Sequence, residues 1–465
     1  MTHATFDDPY LAGGYAPVDD ESTFALEPSQ GAVPRDLNGV YVRNGPNPRF
    51  SAPGRHHWFD GDGMLHAVAF EDGHATYRNR YVRTPGFLQE QDAGRALWSG
   101  LLEPTDDNPK GAPYKDTGNT DVLSYRGALY TLWYICGAAH RVDPLTLESE
   151  GPATFGGERP LRMSAHAKVD PKSGELVFFD YGPRPPFMRY GVIADGRVDH
   201  LVPIELPGPR LPHDMAITER FSILMDLPVF PRPEALKQKR WIVQYDRDKP
   251  ARFGILPRRG GPESIRWFSA EPCYVYHVVN AWEEGDTVVM VGCRCDDPLP
   301  EPRPEDGPLT RALANLRLRA RLHRWRFDLR DGSTTEEALD DRNTEFPTLA
   351  DAFVGQPSRW SYHMTIPEGR TLQFDGIAKY DIRDGSRTEL SFGPGRLGSE
   401  APFAPRDGHR REDDGYLLSF VDDRAADRSE LWIVAAENME IVAKLPIPRR
   451  VPLGFHACWV PGSAG

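Results

Sequence analysis

Four of the chain's 14 histidines stand in apolar, strand-like surroundings. His166 lies in RMSAHAKVDP, His213 in RLPHDMAIT, His277 in CYVYHVVNAW and His456 in LGFHACWV. One buried histidine is usually a satisfied core residue. Four of them, 47, 64 and 179 residues apart, put a ring on each of several distant elements. Four neutral imidazoles suit a borderline transition metal such as Fe, Cu, Ni or Zn. Neutral ligands leave two positive charges uncompensated. Buried carboxylates are therefore expected nearby, each fixing a ring's tautomer through its free N–H. Glu345 in NTEFPTL and Glu400 in GSEAPFAP have that setting, each within two residues of a proline in an apolar run.

Bringing distant histidines to one point requires elements that converge. Strand signals dominate: GVYVRN, HAVAFED, ALYTLWYI, ELVFFDYG, DTVVMVGC, LHRWRFDL, YLLSFVDD and ELWIVAA. Asp-Gly and Asp-Pro turns recur between strands, in AFEDGHATYR, RVDPLTLESE, KVDPKSGELV, IADGRVDHLV, DLRDGSTTEEA and DIRDGSRTEL. This pattern resembles the outer hairpin of a β-propeller blade repeated round a ring. Blades of about 40–60 residues give about seven over this length. Inner strands of such a ring meet at its axis, and each sends alternate side chains one way. The predicted fold is all-β, a seven-bladed propeller with a helical and loop cap over the top face. Residues 1–465 are read as one domain.

Two helices are predicted, over residues 86–102 and 309–322. In the second, Leu309, Leu313, Leu316 and Ala320 share one face, with arginines around them. Packing over the propeller explains this stripe, and a peripheral contact with lipid is the alternative.

The formal charge of −13 argues against nucleic acid as a partner. The N-terminus has neither the basic nor the apolar region of a signal peptide, and no run is long enough to span a membrane. Five sparse cysteines suit a reducing, cytoplasmic setting. Cys293 and Cys295 share one strand face without a second Cys/His pair of zinc-site spacing. In HHWFDGDGM, His56, His57, Asp60 and Asp62 offer a weaker metal reading beside that of a tight turn. No G-x-S-x-G elbow, Walker loop or dinucleotide fingerprint appears.

Collinear blocks along nearly the whole chain resemble the carotenoid cleavage oxygenase family. They run from LNGVYVRNGPNPRF and HHWFDGDGMLHAVAF through GNTDVLSY, SAHAKVDPKSGELVFFDYG, LPHDMAITERFSILMDLP, CYVYHVVNAWEEGD, TEFPTL and SEAPFAPR to GFHACWVP. The resemblance implies Fe(2+) on the propeller axis, held by His166, His213, His277 and His456. It assigns two ligand-orienting glutamates to Glu345 and Glu400. It places Thr120, in GNTD, near the open iron position. It implies cleavage of a carbon–carbon double bond by O2, giving two carbonyl products. The expected partners are O2 and an apolar polyene or stilbene.

One departure stands out. The family's third glutamate falls on Tyr134 or Ile135 here, and neither is a carboxylate. In the stilbene- and isoeugenol-cleaving branches a lysine before that glutamate meets the substrate phenol. Here Trp133 or Tyr134 stands there, and an aromatic ring cannot replace an ammonium. Carotenoid or apocarotenoid substrates are therefore preferred. The alternatives are a lignostilbene- or phenylpropenoid-cleaving oxygenase and a non-catalytic polyene-binding propeller. Phe59, Trp98, Tyr276, Trp282, Phe353 and Trp360 are candidate tunnel-lining aromatics.

Overall fold

The computed structural model describes residues 8–238, 242–309 and 316–462. Seven sheets form the seven blades of a propeller, joined by one small hairpin of Val229–Pro231 with Val243–Tyr245. The innermost strands of blades 1 to 7 are Ala457–Pro461, Asp121–Tyr125, Lys168–Val169, Ala216–Ile217, Tyr274–Glu284, Thr344–Thr348 and Phe403–Pro405. Neighbouring inner strands touch, blade 7 against 1 and blade 1 against 2, so the ring closes.

Each end of the chain completes the other's blade. Ala457–Pro461 pairs antiparallel with Gly39–Pro46 as the axial strand of blade 1. Gln30–Gly31 pairs with Ile441–Ile447 on the rim of blade 7. Pairing of segments so distant in sequence leaves no local signature.

Middle strands are covered on both faces by adjacent blades and read as continuous apolar runs. Thr287–Cys295 is the clearest case: every residue after Thr287 is buried, and Cys293 and Cys295 lie on it as predicted for one strand. Rim strands such as Ser386–Ser391 remain mostly exposed. The Asp-Gly turns are hairpin corners. Asp72 and Gly73, and again Asp195 and Gly196, have positive φ at both positions, as a type I′ turn requires. Not all the predicted hairpins are outermost, however. KVDPKSGELV joins the inner pair of blade 3, and in blade 1 Thr23–Leu26 pairs outside His74–Tyr81. The turn dipeptides mark a reversal of direction, not a radial position.

The first predicted helix is shorter than expected. Pro85–Ala93 is capped by the Thr84 hydroxyl and ends at Gly94, in the left-handed region, with the Arg95 N–H reaching back to Glu90. In the second predicted segment, residues 310–315 lie outside the described residues. Its ends correct the expectation: Pro304–Leu309 is a pair of 3-10 turns broken by a kink at Gly307, and Ala320–Asp328 is a strand of blade 5 with Ala320 opposite Cys295. Leu316 and Ala320 are buried, so neither offers a lipid-facing surface. From Ala320 onward the residues belong to a strand whose own alternation, ARLHRWRFD, won through pairing on both sides.

A cap of loops and short 3-10 turns covers the histidine end of the axis. Tyr10, Tyr15 and Trp58 pack ring to ring, and Trp58 lies 4.2 Å from Phe455, which precedes His456. No helix among the described residues is long and apolar enough to cross a membrane.

Candidate metal centre

His166, His213 and His456 precede the axial strands of blades 3, 4 and 1, and His277 lies near the start of that of blade 5. The fold therefore delivers all four to one level of the axis. One ring nitrogen from each lies within 4.8 Å of the others, and all four residues are buried. The His166 ring centroid lies 4.9 Å from His213, 4.9 Å from His277 and 4.5 Å from His456, and His277 lies 5.0 Å from His213 and 4.7 Å from His456. Two ligands on opposite sides of one ion with ~2 Å bonds stand ~4 Å apart, so the cluster has the size of a single metal site. Nε2 of His166 and of His277 is buried without a hydrogen-bond partner, as a nitrogen reserved for a metal must be.

The other ring nitrogens carry the expected carboxylates. His277 Nδ1 bonds Glu345 Oε2 at 2.5 Å, and that oxygen also accepts the Phe346 N–H at 2.6 Å. His456 Nδ1 bonds Glu400 Oε1 at 3.1 Å, while Oε2 accepts the Ala457 N–H at 2.6 Å. Each glutamate thus fixes a ring and the backbone beside it. His166 adopts φ 64°, a conformation costing a non-glycine residue about 1–2 kcal/mol. Its N–H is held by Asp121 Oδ2 at 2.9 Å.

Burial pushes the His166, His213 and His277 imidazoles well below their usual value, so they are neutral ligands in waiting. His456 is also desolvated, but Glu400, Asp121 and Asp214 outweigh that and raise it. Burial pushes the Glu345, Glu400 and Asp214 carboxyls up. A divalent cation among the rings would favour the ionised carboxylates, so the donor set fits such a group.

Three charged residues were not singled out from the sequence. Asp121 and Asp214 directly adjoin Thr120 and His213, and Lys168 stands two residues after His166. Lys168 Nζ pairs with Asp214 at 2.7 Å, and Asp214 accepts the N–H groups of Met215 and Val278, tying blades 3, 4 and 5 together. A charged residue beside each singled-out position in an otherwise apolar run was the available signal. Thr120 is buried; its hydroxyl donates to Asn119 and accepts the Tyr134 N–H, and its carbonyl accepts the His456 N–H.

The two sides of the cluster differ. Residues following the histidines on the axial strands line a cavity of about 390 Å³ that touches His166, His277 and His456 and includes Asp121, Lys168 and Asp214. Aromatic rings stand against the histidines themselves: Tyr134 at 4.4 Å and Tyr276 at 5.3 Å from His213, and Phe346 at 4.5 Å from His456. Phe59 joins them through Phe455 and Tyr134. Tyr134 and Phe346, which lie against the rings, were not among the aromatics singled out from the sequence. Trp98 donates to the Ala112 carbonyl in a separate loop cluster, and Phe353 sits in the turn that binds Asn280. Trp282 packs among Val289, Ala378 and Tyr380, and Trp360 lies between Arg359 and Lys379. Those four do not approach the rings.

The alternative set in HHWFDGDGM is structural. His57 Nδ1 accepts the Phe59 N–H, Asp60 accepts those of His57 and Leu101, and Asp62 pairs with Lys115.

The family model of the retinal pigment epithelial membrane protein matches residues 15–461. Carotenoid 9,10(9',10')-cleavage dioxygenase 1 of Arabidopsis thaliana is 36% identical over 97% of this chain and 89% of its own length. A carotenoid cleavage oxygenase of Mycobacterium tuberculosis is 34% identical over 97% of each. The crystal structure of a Pseudomonas brassicacearum lignostilbene dioxygenase superposes with a TM-score of 0.88 at 26% identity, covering 98% of this chain and 99% of that one. Matched from the first blade to the closing strand, the chain belongs to the carotenoid cleavage oxygenase family and is an enzyme of its dioxygenase type.

Proposed function

We propose that this enzyme holds iron(II) with His166, His213, His277 and His456 and cleaves a carbon–carbon double bond of a carotenoid or apocarotenoid with O2. The observation that carries the reading is the convergence of four buried imidazoles from four blades onto one point, with aromatic rings packed against them. Bound iron(II) supplies the electron exchange that makes O2 reactive towards an electron-rich alkene. The protein does the rest by position. Glu345 and Glu400 lock His277 and His456 by hydrogen bonds, so these rings need no reorganisation to bind. Thr120 fixes the Tyr134 backbone, and with it the ring lying against His213. Tyr134, Tyr276, Phe346 and Phe59 form the apolar wall on which an extended polyene lies. The five free thiols suit a reducing, cytoplasmic setting.

Trp133 and Tyr134 set the substrate preference. No ammonium at these positions meets a phenolate, which favours a hydrocarbon chain. One observation favours phenolic stilbenes instead: the Tyr134 and Tyr274 hydroxyls lie 3.4 Å apart and could meet a phenol. Iron-loaded protein should be incubated under labelled O2 with carotenoids, apocarotenals and hydroxystilbenes, and carbonyl products identified by mass. Labelled aldehydes from the polyenes at higher kcat/KM are expected. Faster turnover of the hydroxystilbenes would overturn the substrate assignment.

Glu345→Gln keeps an acceptor for the His277 N–H but removes the charge. Metal affinity is expected to fall about 10–100-fold, read by competition with a coloured chelator. Unchanged affinity would remove Glu345 from the site.

A further inference from the structure

The resemblance to the family places a third carboxylate at residue 134 or 135, and the chain has none there. In the structure the Tyr134 ring lies 4.4 Å from His213, and Nδ1 of His213 is buried without a hydrogen-bond partner. A different imidazole has a carboxylate neighbour. Asp121 Oδ2 accepts the His166 N–H at 2.9 Å and stands 3.5 Å from His166 Nδ1. Its other oxygen accepts the Val122 N–H at 2.8 Å. Among the described residues no lysine or arginine pairs with Asp121, whereas the charge of Asp214 is met by Lys168.

We propose that Asp121 is a positioning residue that supplies the centre's third carboxylate, on the His166 side of the cluster instead of the His213 side. This rests on the metal-centre reading above. His166, like His277, lies within 5.0 Å of all three other rings, and of these two only His277 has a glutamate on its ring, so an anion beside His166 serves the ring still without one. Asp121 also grips the backbone of a ligand held at positive φ. The carboxylate fixes that peptide and orients its ring together, as Glu345 and Glu400 each do for their own histidine. His213 is then oriented by packing between the Tyr134 and Tyr276 rings, without an anion of its own.

The test uses the full chain stripped of metal and titrated with Co2+ alone, following visible absorption. Asp121→Asn removes the charge and keeps one of the two oxygens that accept the His166 and Val122 N–H groups, so the metal-free protein should stay folded with a slightly lowered melting temperature. Co2+ affinity is expected to fall about 10–100-fold and the absorption envelope to shift. Adding Tyr134→Glu to Asp121→Asn returns a carboxylate on the His213 side and should recover most of the affinity. Wild-type affinity in Asp121→Asn overturns the proposal, as does a loss that the folded double variant does not recover. If the double variant does not fold, Asp121→Asn alone decides. Failure of the unaltered protein to bind Co2+ would overturn the metal-centre reading itself, a separate outcome.

Discussion

His277→Ala is expected to abolish metal retention and turnover while leaving the propeller folded. Three properties make this ring the most demanding of the four. Its Nε2 is buried with no partner in the protein, so it serves no structural bond on that side. Its Nδ1 carries the shortest carboxylate contact in the centre, to Glu345. It also sits within a long strand instead of just before one, so no loop can bring a neighbouring side chain into its place. Three remaining imidazoles would still offer donors, but Glu345 would lose its only ring partner. The loss in affinity should therefore exceed the ~10–100-fold typical of an altered outer partner. Stability should suffer less than for a buried ion pair, because burial leaves this imidazole neutral. Truncation to alanine removes packing against Phe346 and His456, at a cost of about 2–5 kcal/mol. The pleated core of blade 5 is otherwise untouched. Metal content per chain after dialysis, together with the thermal unfolding curve, checks both halves. A variant that retains stoichiometric metal and full turnover would remove His277 from the centre.

The four histidines were legible because each puts a titratable ring into an apolar stretch in or just before a strand, a placement that burial penalises unless something is gained. Glu345 and Glu400 stood out for the same reason. Asp121 did not, because an Asp after Asn-Thr reads equally well as a turn, and only the fold shows its carboxylate turned back to the His166 peptide. Tyr134 illustrates the opposite limit. Its departure from the family pattern was visible, but not that its ring would lie on His213. Register decides such contacts, and register comes from strand pairing across blades. The same non-local pairing defeated the helical reading at residues 320–322, where Ala320 falls opposite Cys295 in a ladder that no window of sequence contains. The Asp-Gly corners were read correctly because a type I′ turn is a local matter of φ.

Ending the chain after His456 should cost both the fold's closure and the metal, although every proposed ligand is still encoded. Ala457–Pro461 supplies the axial strand of blade 1, with Val40 opposite Val460 and Tyr41 opposite Trp459. Trp459 and Val460 are buried, and burying side chains of this kind contributes about 1.5–3 kcal/mol each. Removing both, with five residues of ladder pairing, takes away an amount comparable to the 5–15 kcal/mol by which a typical domain is stable. The effect on the centre is more direct. Glu400 is anchored by the Ala457 N–H as well as by His456, and the His456 peptide is held by the Thr120 carbonyl on the adjoining blade. Without the strand, His456 becomes the last residue of a free end, and Glu400 loses one of its two partners. A sharply lowered and broadened melting transition is expected, with metal no longer retained through gel filtration. The point variant Trp459→Ala, which keeps the strand's backbone, should lose about 3–5 kcal/mol of stability yet keep metal. If the truncated chain melts like the intact one and still holds its ion, then the closing strand does not position His456, and the ring must be set by Glu400 and the loop before it.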